Sequence, residues 1–227
     1  MNFQDHGLGN LRTFLGCLQY YLAPTDVHGK KPNPLQRPHI VTNSYSCGIG
    51  TCKEELFNPV IKALVESGVF LVAAAGNSQY CSNINGIMES SNEIITIGAI
   101  NKNNNEITRF SSLGPVKRNN IRKPDLMAPG EKIFSAIQCC AMYSEMSGTS
   151  MAAPHVSGAI ALLWSGIPEL RRNIKLTWEI LEKTALHQES TWCKSESKSP
   201  NNAYGFGSIN VLKAFEYAKE LISKNSK

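Results

Sequence analysis

The sequence predicts an α/β domain built on a parallel β-sheet flanked by helices. Three observations predict it. Two continuous apolar runs of strand length, VFLVAAA at 69–75 and IITIGAI at 94–100, lack polar alternation, as strands buried on both faces do. A helical apolar face (Leu56, Val60, Ile61, Leu64, Val65) lies between a β-branched stretch at 40–45 and the first run, which makes a βαβ unit. The chain has 227 residues, 42% apolar and 18% charged, enough for one core of ordinary composition.

The elements follow in order. Leu11, Phe14, Leu15, Leu18 and Leu22 recur at helical spacing, and Pro24 stops that helix. Residues 27–38, rich in Pro, Gly and Lys, predict a loop, and 40–45 a short strand. The helix at 56–65 ends at Gly68, and the two apolar strands follow. Residues 101–106 predict a polar turn, and KPDLMAPG at 123–130 a short strand with its exit turn. A helix starts at Ser150 and runs to about Ser165. Two more are expected near 176–185 and 211–222, with a polar, mobile segment at 194–202. There is no internal repeat and no clear domain boundary.

Charge and cysteines exclude several function classes. The net charge of +5 forms no basic stripe with interleaved aromatics, so nucleic acid is not an expected partner. No apolar run approaches ~18 residues, which excludes a spanning helix. The polar start, MNFQDH, has no signal-peptide core. Seven cysteines are an odd number, so at least one is free or pairs outside the chain. Cys47 and Cys52 are close enough for a small disulfide loop, with reduced, partly buried thiols as the alternative. No cysteine spacing suits zinc, and Cys139-Cys140 has no nearby histidine.

The residues that carry chemistry are concentrated in two strings. In SGTSMAAPHVSG at 147–158, Ser150 sits between a Gly-Thr turn and an apolar helix that opens with small residues. That arrangement holds one hydroxyl at a helix N-terminus, with backbone N–H groups and the positive dipole end beside any oxyanion formed there. In AAAGNS at 73–78, Asn77 directly follows a buried strand, where short turns expose side chains at the carboxyl edge of the sheet. Its amide N–H can bond a developing oxyanion.

The first string resembles, residue for residue, the serine motif of subtilisin-like serine proteases (peptidase family S8), G-T-S-M-A-x-P-x-V-A/S-G. The resemblance covers nearly the whole chain. FSSLGP at 110–115 and KPDLMAPG at 123–130 resemble two further signatures of the family, and FLGCLQYYLAP at 14–24 resembles the bacillopeptidase F-like branch. It implies a three-layer subtilisin-like fold lacking its N-terminal strands, and a partial catalytic domain over residues 1–227. It implies Ser150 as nucleophile and Asn77 as oxyanion donor. Ser44, Tyr45 and Ser46 take the places of one wall of the primary specificity pocket, with Ser46 where the family has glycine, and Ala74, Ala75 and Gly76 the opposite wall. Gly7, Leu8 and Gly9 resemble the extended segment that pairs with a substrate strand.

The other half of the catalytic triad is missing. In subtilisin the histidine precedes the oxyanion asparagine by roughly ninety residues, which falls before Met1 here. Neither H-G-T-x-V-A-G nor D-S/T-G occurs. His28 lies in a Pro/Lys loop, and His6, His39, Asp5 and Asp26 have no supporting context. By resemblance His155 is a structural helix residue, and Asp125 is a strand-exit residue and not the triad acid. The chain is therefore expected to be the C-terminal two-thirds of the domain, with the Asp and His upstream. It is expected to show no practical protease activity alone and to be less stable than a full domain, its 40–46 strand leaving an open edge.

The function implied is serine endopeptidase, acting on peptide or protein substrates through an acyl-enzyme on Ser150. The alternative is a degenerate pseudoprotease or peptide-binding module. A lipase-like esterase is disfavoured, since G-x-S-x-G is absent. The missing N-terminal catalytic segment is a possible partner, and no cofactor is implied. Family members often bind structural calcium, but no acidic cluster marks a site. The family is mostly secreted, which favours an extracytoplasmic location.

Overall fold

A computed structural model describes residues 10–47, 52–137, 142–194 and 197–225. A four-stranded sheet has the order β1 (Ile40–Asn43), β2 (Phe70–Ala74), β3 (Ile95–Ile100), β4 (Leu126–Pro129), every pair parallel. Among the described residues five α-helices surround it: α1 (Leu11–Leu22), α2 (Glu54–Glu66), α3 (Thr149–Gly166), α4 (Ile174–Thr184) and α5 (Val211–Asn225). No helix among the described residues is long and apolar enough to cross a membrane.

The continuous apolar runs are explained by the layering. Along β2, Phe70 and Val72 face α3, α4 and α5, and Leu71 and Ala73 face α1 and α2. Successive strand side chains point to opposite faces, and both faces are covered, so both must be apolar. α3 is the central helix of its layer: Ala152, Ala153, Val156, Ile160 and Leu163 are all at most 1% exposed against β2, β3 and β4. Its small residues let it approach the sheet closely.

Local chemistry sets the helix ends. The Asn10 side chain accepts from Thr13 N at 2.9 Å and caps α1. Glu54 and Glu55 complement the dipole of α2. Gly68 closes α2 at φ +83°, where an added Cβ would also meet Arg172 at 2.8 Å.

Several expectations needed correction. β1 stops at Asn43, because Ser44 leaves the strand to bond the start of α3. Asp125 precedes β4 and is a strand-entry residue: the Asp125 N–H donates to Thr96 O at 2.8 Å and Thr96 N–H to Asp125 Oδ2 at 2.7 Å, which fixes the register of β4 on β3. An antiparallel hairpin of β5 (Ile133–Ala136) and β6 (Tyr143–Met146) escaped the periodicity reading, because most of its side chains are exposed and no apolar face marks it. The 194–202 segment is not loose where it is described. Asn201 is 1% exposed, its amide bonded to Gln188 O at 2.8 Å, and Asn202 bonds Cys193 O at 3.1 Å.

Cys47 and Cys52 form a disulfide, and Cys81 pairs with Cys193 across 112 residues. Cys17 is reduced and buried, while Cys139 and Cys140 lie outside the described residues. Closing so long a loop restricts the unfolded chain strongly, so replacing Cys81 and Cys193 by serine should cost about 2–5 kcal/mol. Urea unfolding of the oxidised chain and the double variant measures this, and equal midpoints would refute it.

β1 lies at the margin of the sheet and pairs only with β2 among the described residues.

Candidate active site

The carboxyl ends of β1 and β2 and the N-terminus of α3 meet at one edge of the sheet. Parallel strands deliver their exit turns to the same side, where open α/β sheets place ligands. Ser44, Tyr45 and Ser46 leave β1, and Ala75, Gly76 and Asn77 leave β2. These residues, with Ala74, Thr149 and Ser150, line one cavity of about 410 Å³.

Hydrogen bonds between the segments set its geometry. Thr149 N–H and Oγ1–H donate to Asn77 Oδ1 at 2.9 and 3.0 Å. Gly76 N–H donates to Thr149 Oγ1 at 3.1 Å. Since Thr149 N can only donate, the oxygen of the Asn77 amide faces Thr149 and its NH₂ is left to face elsewhere. A Cβ on Gly148 would lie 3.4 Å from that Nδ2, so the amide is held against the turn that leads into Ser150. Ser44 Oγ–H donates to Ser150 O at 3.1 Å, and Ser150 Oγ–H to Ser44 O at 3.3 Å. The nucleophile candidate is thereby tied to the pocket wall.

The two supporting motifs act from behind. Ser111 Oγ accepts from Ala99 N on β3 at 3.1 Å, and Ser112 Oγ accepts from Ser78 N beside Asn77 at 3.1 Å. Lys123 Nζ, 1% exposed, donates to Asp125 Oδ2 at 2.6 Å and Ile94 O at 2.8 Å. Burial raises the Asp125 carboxyl above the ordinary aspartate value, with Lys123 and the Thr96 N–H pulling against it.

Sequence reasoning missed the far wall, Asn83, Asn85, Gly86 and Glu89. Glu89 is 4% exposed. Its Oε1 accepts from Ser46 Oγ at 2.5 Å and from Gly86 N at 2.9 Å. Burial pushes its carboxyl up from the usual glutamate value, and hydrogen bonds from the Ser46 side chain and from the Glu89 and Gly86 backbone oppose the shift. The only available sequence signal was a glutamate in the apolar setting of Ile84, Ile87 and Met88. Tyr45 packs edge-on against Phe14 at 5.0 Å and donates to Asn43 Oδ1 at 2.9 Å; burial raises its phenol, which stays neutral.

Gly7, Leu8 and Gly9 lie outside the described residues, as do Asp5 and His6. His155 sits one turn along α3, its Nδ1 2.8 Å from Met151 O, on a neighbouring cavity that Ser150 shares with Phe134 and Met146 of the hairpin. His39 precedes β1, at the opposite end of the strand from the cavity, and packs near Trp164. His187 contacts Ser199 and Phe206 O. The Asp26 carboxylate accepts from His28 N and Lys30 N within its own loop. Among the described residues, no histidine or aspartate side chain hydrogen-bonds Ser150.

Residues 25–207 match the family model described as the subtilase family. Bacillopeptidase F of Bacillus subtilis (strain 168) is 31% identical over 226 residues, 98% of this chain but 15% of that protein. Subtilisin DY of Bacillus licheniformis is 39% identical over 106 residues, 46% of this chain and 35% of that protein. The chain thus aligns with well under half the length of either relative. Among solved structures, the prenylagaramide maturation protease PagA superposes with a TM-score of 0.70 at 21% identity, over 95% of this chain and 70% of that one. A mutant of the protease domain of PatA gives 0.60 at 24% identity, over 80% and 60%. At these identities the two structures establish the fold.

Proposed function

This chain belongs to the subtilase family, and we propose that it carries the nucleophile and oxyanion hole of a serine endopeptidase. The observation that supports the proposal is the clamp between Thr149 and Asn77, at a cavity that Asn77 and Ser150 both line. Ser150 Oγ attacks the peptide carbonyl carbon. The negative charge that develops on the carbonyl oxygen is taken by Asn77 Nδ2 and by the Ser150 N–H, with the α3 dipole behind them. Collapse expels the amine and leaves an acyl-enzyme that water hydrolyses. Ser44–Ser46 and Ala74–Gly76 hold the side chain on the N-terminal side of the scissile bond, and Gly7–Gly9 align the substrate strand.

A serine is a weak nucleophile until a base takes its proton. The proposal assigns the base and its carboxylate to residues other than those described at Ser150, on this or another polypeptide. Two disulfides support an extracytoplasmic setting. A second reading, a module that holds peptides without cutting them, is favoured by one observation: Ser150 Oγ donates to Ser44 O and not to a base.

Reaction with a fluorophosphonate probe, followed by mass mapping, separates the readings. A label on Ser150 that is absent from Ser150→Ala is the result expected of an assembled hydrolase. A folded chain that binds peptide but takes no label belongs to the second reading.

A further inference from the structure

The fold buries two carboxylates near the sheet and treats them differently. Asp125 receives Lys123 at 2.6 Å. Among the described residues Glu89 receives no cation. Its Oε1 accepts from Ser46 Oγ and Gly86 N, and Oε2 is the one buried side-chain polar atom among the described residues without a hydrogen-bond partner. An unserved carboxylate oxygen costs free energy, so a native structure that keeps one calls for an explanation. Glu89 lines the cavity beside Ser150, and among the described residues no lysine, arginine or histidine lines it. With the Tyr45 phenol neutral, Glu89 is the only lining residue among those described that is able to carry charge near neutral pH.

Its surroundings are built to keep it there. A Cβ on Gly86 would collide with the Glu89 carboxyl, so the glycine leaves the room that the carboxyl occupies. Thr96 Oγ1 bonds Glu89 O at 2.7 Å, and Ser90 Oγ bonds Gly86 O, pinning the segment from behind. Ser46, standing where the family has glycine, supplies a hydroxyl to Oε1 and settles which oxygen is left over. The terminal torsion of a glutamate is broad, so either oxygen can be turned to an incoming cation.

We infer that Glu89 makes this cavity selective for a basic side chain, so that the substrate residue on the N-terminal side of the cleaved bond is arginine or lysine. The inference rests on reading the cavity as the pocket for that residue. A guanidinium or ammonium supplies the donors that Oε2 lacks, and a charge-assisted bond in a partly dehydrated pocket is stronger than a neutral one. An aliphatic residue would bury the carboxylate further and leave it unpaired.

Benzamidine, a small planar cation, tests the pocket without turnover, with benzamide as its neutral counterpart. Titration calorimetry on the purified chain should show benzamidine binding more tightly than benzamide. Glu89→Gln should weaken benzamidine ~10- to 100-fold and leave benzamide unchanged. Gly86→Ala, which displaces the carboxyl, should weaken it in the same direction and guards against a folding defect in the first variant. Peptides ending in arginine should outcompete those ending in leucine. Equal benzamidine affinity in the original chain and Glu89→Gln, or no preference for the cation, would overturn the inference. Because binding is read independently of Ser150 labelling, this failure is distinguishable from failure of the protease assignment.

Discussion

Lys123→Met should destabilise the chain by about 3–5 kcal/mol, the cost of leaving a buried carboxylate without its counter-charge. Lys123 is 1% exposed, and its ammonium bonds both Asp125 Oδ2 and Ile94 O while lying 5.6 Å from the Trp178 ring. Methionine fills a similar volume, so packing is largely kept and the loss isolates the charge. Adding Asp125→Asn should recover much of it, because the amide oxygen still accepts the Thr96 N–H and nothing charged remains buried. The pH dependence has a definite sign. Without Lys123 the Asp125 carboxyl in the folded state rises further above its unfolded value, so the folded state holds the proton over a wider pH range. Stability of the single variant then increases as pH falls through that folded value and decreases as pH rises. Urea unfolding across pH measures this. Single and double variants that are equally unstable at every pH would show that the ion pair is not what holds β4.

Asn77→Ala should slow the reaction of a reactive Ser150 ~10²–10³-fold, the magnitude known for the oxyanion asparagine of subtilisin. The same substitution removes the acceptor for two groups of the fully buried Thr149 and should cost about 1–3 kcal/mol of stability. Asn77→Asp separates the effects. It keeps oxygen acceptors for Thr149 but has no N–H to offer the oxyanion, so it should be nearly as slow as the alanine variant while remaining close to the original stability. The rate of fluorophosphonate labelling and the thermal midpoint are read on the same three proteins. An Asn77→Asp variant with undiminished labelling would remove Asn77 from the chemistry.

Much of the molecule was legible in the sequence because its signals are local. The strands β2 and β3 announced themselves as apolar runs, and α1, α2, α4 and α5 through helical spacing. Ser150 and Asn77 could be singled out because each lies where a strand or helix boundary is written into a few adjacent residues. The β5–β6 hairpin was not legible, since Phe134, Tyr143 and Met146 are half or more exposed and no burial pattern marks them. The orientation of Asp125 was misread for a related reason. Its motif gave the residue types but not which side of Leu126 the strand begins.

What the sequence determined by itself was the α/β class and the identity of the helices and inner strands; it also put forward Ser150 and Asn77 as candidates for nucleophile and oxyanion donor. Each follows from periodicity or from a turn spanning a few positions. Only the tertiary structure decided which distant residues meet. It joined Cys81 to Cys193 and set Glu89 against Ser46, 43 positions away. It also turned the Asn77 amide with Thr149, 72 positions on. Such contacts depend on strand order and register, which three-dimensional packing fixes and no local pattern encodes.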